Sequence, residues 1–377
     1  VFRPPEDRLT DYSKGIRNIL LILLIIAVFA VLKELSGLLL PLALAALLTV
    51  LNLPLVNFLH NRHVPRVFVT LMVAVLTLAI LWGVIGMISG TVEQLIREQD
   101  FLARQFVRKL NAAILWIGDT VPGVNVEFLR DEINKIISPS NITSLIGSIL
   151  GALGSVGSSS VLFLVYYIIL LSGATGYHAY VEYVTGNDPS GKTRQIWDLT
   201  QQSISAYMGI KTLISLLTGL IAGIICWAFG LQFALFWAFM AFILNYIPSI
   251  GSLVATALPV FMAIIQFDSF GLIIALGILL GSSQFVIGSV IDPMVMGNRL
   301  RLNTVTVIFG LLFWGYIWGI PGMLLSVPLM VMIRLLLERS EDLAIIARIM
   351  GNPSVRRGKK PPLFTRIVGR SRPRDGD

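Results

Sequence analysis

The side chains that could do chemistry lie inside apolar runs of the C-terminal part of the chain: Asn245, Gln266, Gln284, Asp292, Asn303, Thr304 and Thr306. An acidic group in a membrane span is disfavoured by about 2.5–3.5 kcal/mol on insertion scales, so it needs a reason to be there. Asp292 could carry a proton or bind a cation, with Arg299 or Arg301 to neutralise it. Equally, it reads as an interfacial residue that caps a helix end and pairs with a nearby arginine. Asp268, between Phe267 and Ser269, reads as an interfacial turn. His60 and His63 have a spacing that can suit a metal, but no Cys, Asp or Glu stands near them. Their neighbours Arg62 and Arg66 favour lipid headgroups instead. Gly151, Gly154 and Gly157 are not followed by Gly-Lys-Ser or preceded by a strand, which argues against a phosphate loop and ATP-driven transport. No enzymatic constellation, metal set or cofactor motif emerges.

Two long apolar stretches must position these residues, and proline and glycine break each in the middle. Leu231 to Phe267 breaks at Asn245-Tyr246-Ile247-Pro248-Ser249-Ile250-Gly251, and Asn303 to Leu337 breaks at Gly315-Tyr316-Ile317-Trp318-Gly319-Ile320-Pro321-Gly322. Proline removes a donor and clashes with the preceding turn, so neither stretch continues as one regular helix. Freed backbone groups cannot face lipid and must sit in protein or line a wet cavity. Paired interruptions of this kind point to a transporter binding site. The residues expected along a substrate or ion pathway are therefore Asn245, Pro248, Gly251, Gln284, Asp292, Pro293, Gly297, Arg299, Asn303, Pro321 and Gly322.

Composition places these stretches in a membrane. Hydrophobic residues are 55% of the 377, charged residues only 13%, and mean hydropathy is +0.82. A soluble domain carries about 25% charged residues. Further apolar runs cover Ile16 to Leu32, Leu35 to Leu59, Val67 to Ser89, Ile149 to Leu171, Ser205 to Gly230 and Phe270 to Ile291. A crossing takes about 20 residues, so the expected fold is an all-α polytopic membrane protein of about seven to nine spans, including the two broken segments as either re-entrant hairpins or full spans. Lys33-Glu34 leads from the first run straight into another span, unlike a cleaved signal peptide. The lone Cys226 excludes a disulfide framework.

Charge sets the expected orientation. With the N-terminus, the His60 to Arg66 loop, Gly173 to Gln202, Lys211, Asp292 to Leu302 and the tail from Arg334 in the cytoplasm, 22 of the 29 Lys and Arg lie on that side. Both termini are then cytoplasmic. The net charge of +8 comes mainly from the tail, which suits anionic headgroups or solvated disorder rather than nucleic acid. By parity the first broken stretch enters from outside and the second from inside. As hairpins they would meet tip to tip near the midplane, with Pro248 and Pro321 at similar depth.

The expected organisation is 1–90 with three spans, 91–148 as an external amphipathic helical segment, 149–337 as the membrane core and 338–377 as a basic tail. In the external segment Val92, Leu95, Ile96, Leu102, Phe106, Leu110, Ala113 and Ile117 make one helical stripe. Val121-Pro122-Gly123 stops it, and Val126, Leu129, Ile133 and Ile137 mark a second short helix. The stripe should pack on its own segment, on a neighbouring subunit or at the membrane interface. Ser190 to Ala206 reads as an interfacial helix. Glycines four apart, such as Gly86 with Gly90, Gly147 with Gly151, Gly219 with Gly223, Gly277 with Gly281 and Gly315 with Gly319, suggest close helix contacts.

The first break, the run Ile291-Asp292-Pro293-Met294-Val295-Met296-Gly297 and the run Gly319-Ile320-Pro321-Gly322-Met323-Leu324-Leu325-Ser326-Val327-Pro328-Leu329 together resemble the autoinducer-2 exporter (AI-2E) family of bacterial membrane proteins. The likeness covers Ile16 to Glu338 and is most specific in the final third. Where the family has Glu before the proline, Asp292 stands here. The resemblance implies an inner-membrane secondary transporter or facilitator, linked in some members to export of autoinducer-2 and in others to sodium–proton exchange. It also implies homo-oligomers, with the pentamer as a candidate form.

Three readings follow. One is an exporter of a small polar solute, driven by an ion or solute gradient, in which half-helix ends at the breaks hold the cargo. The second is a cation–proton antiporter with Asp292 as the titrating carboxylate. The third is a membrane scaffold in which the breaks are packing devices. Membrane lipids are partners in all three.

Overall fold

In a computed structural model, residues 5–60, 64–120, 144, 160–174, 192–296, 302–338 and 343–351 are described. The chain is an all-α polytopic membrane protein. Helices α1 (Pro5–Glu34), α2 (Ser36–His60) and α3 (Arg66–Thr120) come first, followed by α4 (Ser160–Ala174) and α5 (Lys192–Ala228). The first broken stretch gives α6 (Ala234–Leu244) and α7 (Ile250–Gln266). Next come α8 (Phe270–Val286), one turn of π-helix (Ile287–Ile291) and α9 (Asp292–Met296). The second broken stretch, α10 (Thr304–Leu337), precedes α11 (Ala344–Met350). Among the described residues, five helices are long and apolar enough to cross a membrane. Large apolar side chains such as Ile80, Trp82, Leu220 and Trp227 stand exposed on their outer faces, where lipid solvates them.

Both broken stretches are hairpins. In the first, the arms lie side by side: Gln266 Nε2 donates to the Gly230 carbonyl at 2.7 Å, and Gln232 N–H donates to Gln266 Oε1 at 2.8 Å. Residues 245–249 form the tip, where Ser249 is held at φ 61°. In the second, the backbone leaves helical geometry at Gly319 (φ 64°, ψ −147°), a conformation almost confined to glycine. The arms then run back along each other. A Cβ added to Gly315 would lie 3.0 Å from Met323 Cγ, and one on Gly310 would lie 2.4 Å from Met330 Cγ. Residues 20 apart in one straight helix would be about 30 Å apart. The 34-residue length of α10 is therefore a folded length.

Two helices run longer than the sequence divisions suggest. α3 continues without a break through residues 90 and 91, so the third span and the start of the amphipathic segment are one helix of 55 residues. α5 likewise joins the interfacial stretch to its span. The stripe on α3 has a definite target, different from the three anticipated: Leu102 is buried, and Leu95 and Phe106 pack, in the core formed by α5, the first hairpin and α8. Phe106 meets Phe261 with ring centroids 4.8 Å apart. The Val121-Pro122-Gly123 stop, the second short helix, His63, the glycines at 151, 154 and 157 and the tail beyond Gly351 lie outside the described residues.

Three other cores complete the bundle. α2, α3 and α4 enclose a polar knot in which Asn52 Nδ2 donates to Tyr167 Oη at 2.8 Å and Tyr167 O–H donates to Thr77 Oγ1 at 2.9 Å. Such bonds fix helix register in lipid, where no water competes for them. The second hairpin packs with α1, α2 and α11. A fourth cluster joins the middle of α5, the π-turn, Met296 and Val327. Of the glycine pairs, Gly219 and Gly223 make a true close contact: an added Cβ would lie 2.7 Å from the Ala238 carbonyl oxygen and 2.7 Å from Ala238 Cβ, respectively. Gly86, Gly90 and Gly281 face no atom within 4 Å, and Gly147 and Gly151 are not among the described residues.

Asn303 opens the second hairpin as its N-cap. Its side chain accepts from Thr306 N–H at 2.7 Å, and its Nδ2 donates to the Ile349 carbonyl at 2.6 Å, tying α11 to the hairpin base. The Asn303→Ala variant should lose about 1 kcal/mol of stability. Thermal unfolding in detergent measures this, and an unchanged midpoint would show that the cap carries no load.

Candidate functional site

α5 builds one wall of the site. Lys211, Thr212, Ser215 and Thr218 recur at helical spacing and share a face, while Leu213, Leu216 and Leu220 point outward and are exposed. Lys211, Ser215 and Thr218 are buried. The tip of the first hairpin docks on this stripe. Asn245 Nδ2 donates to Ser215 Oγ at 3.0 Å, and Tyr246 O–H donates to Thr212 Oγ1 at 2.7 Å. Proline at 248 and the reversal at Ser249 prevent α6 from continuing, so these polar groups sit at a helix end instead of in mid-helix.

Asp292 closes the other side. Lys211 Nζ donates to Asp292 Oδ2 at 3.0 Å, with the side chains only 6% and 23% exposed. The other carboxylate oxygen, Oδ1, is buried and meets no donor among the described residues. The π-turn over Ile287–Ile291 leads directly into Asp292. Pro293 supplies a local cause, because its ring would crowd the Ser289 carbonyl in a regular helix and a wider turn relieves that. The partner of Asp292 is thus Lys211, four elements earlier in the chain. Arg299, Arg301 and Gly297 lie outside the described residues.

The remaining anticipated pathway residues divide. Asn245, Asp292 and the turn at Pro248 and Gly251 belong to this site. Pro293 is exposed one residue beyond the pair. Gln284 is buried two turns before Asp292 on the same chain segment. Asn303 is a helix cap, as described above. Pro321 and Gly322 belong to the second tip, and that tip is elsewhere. Trp318 Nε1 donates to the Leu32 carbonyl at 3.0 Å, and Lys33 Nζ lies 4.0 Å from the Tyr316 ring centroid. The second tip therefore sits at the charged end of α1, next to Lys33 and Glu34. Tyr246, by contrast, packs into the cluster that holds Val327, Val307 and Val331. Those residues lie about 12–18 Å along the second hairpin from Gly319 at 1.5 Å per residue. The two tips therefore dock at different levels of the bundle, the first beside Val307, Val327 and Val331 and the second beside Leu32. The expectation that Pro248 and Pro321 share a midplane cavity is not met: parity fixes where a hairpin enters, while arm length and packing fix where it turns.

Lys211, Thr212, Ser215 and Tyr246 were not among the anticipated pathway residues. A lysine inside an apolar run, followed by hydroxyls one, four and seven residues later, is the signal that could have found the stripe.

The family model for AI-2E family transporters matches residues 19–342. A putative transport protein of Haemophilus influenzae is 31% identical over 343 residues, covering 89% of this chain and 96% of that protein. The AI-2 transport protein TqsA of Escherichia coli is 27% identical over 344 residues, covering 90% and 96%. The putative transport protein YrrI of Bacillus subtilis is 24% identical over 300 residues, covering 76% and 82%.

Proposed function

The chain belongs to the AI-2E transporter family, and we propose that it exports a small polar solute through the seam between α5 and the tip of the first hairpin. The observation that carries this reading is the buried polar stripe of α5, whose hydroxyls are held by the side chains of a helix-breaking tip. Asn245, Tyr246, Thr212 and Ser215 can exchange hydrogen bonds with one another for bonds to a hydroxyl-bearing cargo at little net change, which lets the tip open and close around it. The Lys211–Asp292 pair, neutral as a unit, keeps net charge out of the seam. The relative named for AI-2 transport makes autoinducer-2 the first cargo to try. In this reading the protein sits in the inner membrane with both termini cytoplasmic, as its Lys and Arg distribution supports, and works as a homo-oligomer driven by an ion or solute gradient.

The unpartnered Oδ1 of Asp292 favours one second reading, a sodium–proton antiporter in which that oxygen takes the ion or proton. Proteoliposomes separate the two. Export predicts autoinducer-2 flux in the wild-type protein and its loss in Asn245→Leu with assembly intact. Antiport predicts sodium-dependent proton movement that disappears in Asp292→Asn. Assembled protein that does neither would leave the scaffold reading.

A further inference from the structure

The first hairpin is held very differently at its two ends. At the base, Lys109 of α3 reaches across to the turn that follows α7: Nζ donates to the Phe267 carbonyl and lies 3.1 Å from Asp268 Oδ1. Phe267 is the C-cap residue of α7, with extended backbone at φ −92° and ψ 138°. The Lys109 bond therefore falls where helix hydrogen bonding has ended and a carbonyl needs an outside donor. One turn before Lys109, the Phe106 ring packs on Phe261 of α7. Leu102 and Ala103 are buried beneath it. Gln266 closes the base by bridging to Gly230 and Gln232. At the tip, the named side-chain bonds are two neutral ones, Asn245 to Ser215 and Tyr246 to Thr212, and the backbone at Ser249 is strained.

We infer that the extension of α3 is a brace that fixes the base of the first hairpin through Lys109, so that the hairpin swings about its base and opens at its tip. The inference rests on the reading of the tip as the gate. Lys109 touches no part of the seam: it acts through the turn at 267–268, and it is a positioning residue. Asp268 is exposed, so its ion pair with Lys109 is the weaker of the two contacts. The bond to the Phe267 carbonyl and the packing under it do most of the holding. Releasing the base loosens the lever that presses the tip onto α5, at a distance of the full arm.

The test reads tip opening directly. The chain has one cysteine, the buried Cys226, so Cys226→Ala gives a background without thiols. Ile247 at the tip and Ile317 near the second tip are both buried, and Ile247→Cys and Ile317→Cys serve as reporter and control. The full chain in nanodiscs is treated with a polar maleimide. Lys109→Met should raise labelling of the Ile247 reporter several-fold and leave the Ile317 control unchanged, since a local opening exposes only what it uncovers. Lys109→Arg should restore the wild-type rate. Unchanged labelling at position 247 in Lys109→Met, or an equal rise at both positions, would overturn the brace. Should Lys109→Met fail to assemble, Phe106→Leu loosens the packing on Phe261 under the same bond and should give a smaller rise at 247; no rise there also overturns it. Labelling needs no cargo. A protein that responds this way yet moves neither autoinducer-2 nor sodium-coupled protons would refute the transport reading and leave the brace standing.

Discussion

Replacing Lys211 with methionine is expected to cost the folded protein about 3–5 kcal/mol, because it strands Asp292 as an unpaired charge in a largely dehydrated place. Asp292 already has one oxygen without a donor among the described residues; the substitution would leave both oxygens in that condition. Asp292→Leu should be comparably harmful, since Lys211 is 6% exposed and would be left buried without its partner. The double variant Lys211→Met with Asp292→Leu should recover most of the loss, because apolar groups of similar volume often replace a buried pair without penalty. Thermal unfolding of the three variants in one detergent closes a double-mutant cycle. Strict additivity would mean that the two groups do not interact. If the stable double variant also carries no solute, the pair is retained for transport rather than for folding.

The second large effect comes from the hairpin turns. Gly251→Ala would place a methyl 1.7 Å from the Leu244 carbonyl oxygen, and Gly322→Ala would place one 2.1 Å from that of Trp314. Both obstacles are backbone, so no rotamer change relieves them, and each substitution should destabilise by more than about 3 kcal/mol, at the top of the range for overpacking. Gly281→Ala is the matched control. Its Cβ meets nothing within 4 Å, and its effect should stay within about 0.5 kcal/mol. The yield of monodisperse protein by size-exclusion chromatography ranks the three. Wild-type yield from Gly322→Ala would mean that the arms of α10 do not fold back on each other.

The bundle and its two interruptions were legible because clustered proline and glycine weaken a helix locally, as at Pro248 to Gly251 and at Gly319 to Gly322, whereas single prolines such as Pro54 and Pro259 stay inside helices. The charge of Lys33 and Glu34 likewise marks a helix end without help from tertiary structure. The partner of Asp292 was not legible. Lys211 is 81 residues away, and nothing local distinguishes it from Arg299 or Arg301, which are nearer in sequence. Tip depth was hidden for a related reason. Arm lengths could be counted, but the docking of Tyr246 on Thr212 and of Trp318 on Leu32 depends on contacts across 34 and 286 residues. The amphipathic stripe of α3 could be read as a stripe, yet its partner could be any apolar face. Phe261 became the answer only once the first hairpin had folded back beside it.

The hairpin arms are short. α6 has 11 residues and α7 has 17, about 16 and 25 Å of helix. The hydrocarbon layer around them is about 30 Å thick. Leu235 and Leu253 on these arms face outward and are exposed, so acyl chains must come to them. The bilayer therefore thins locally beside the first hairpin, or the arms tilt and sink, and either adjustment carries an elastic cost that grows with acyl length. The resting position of the first hairpin is then partly a property of the lipid. Membranes of different thickness set different starting points for the same sequence.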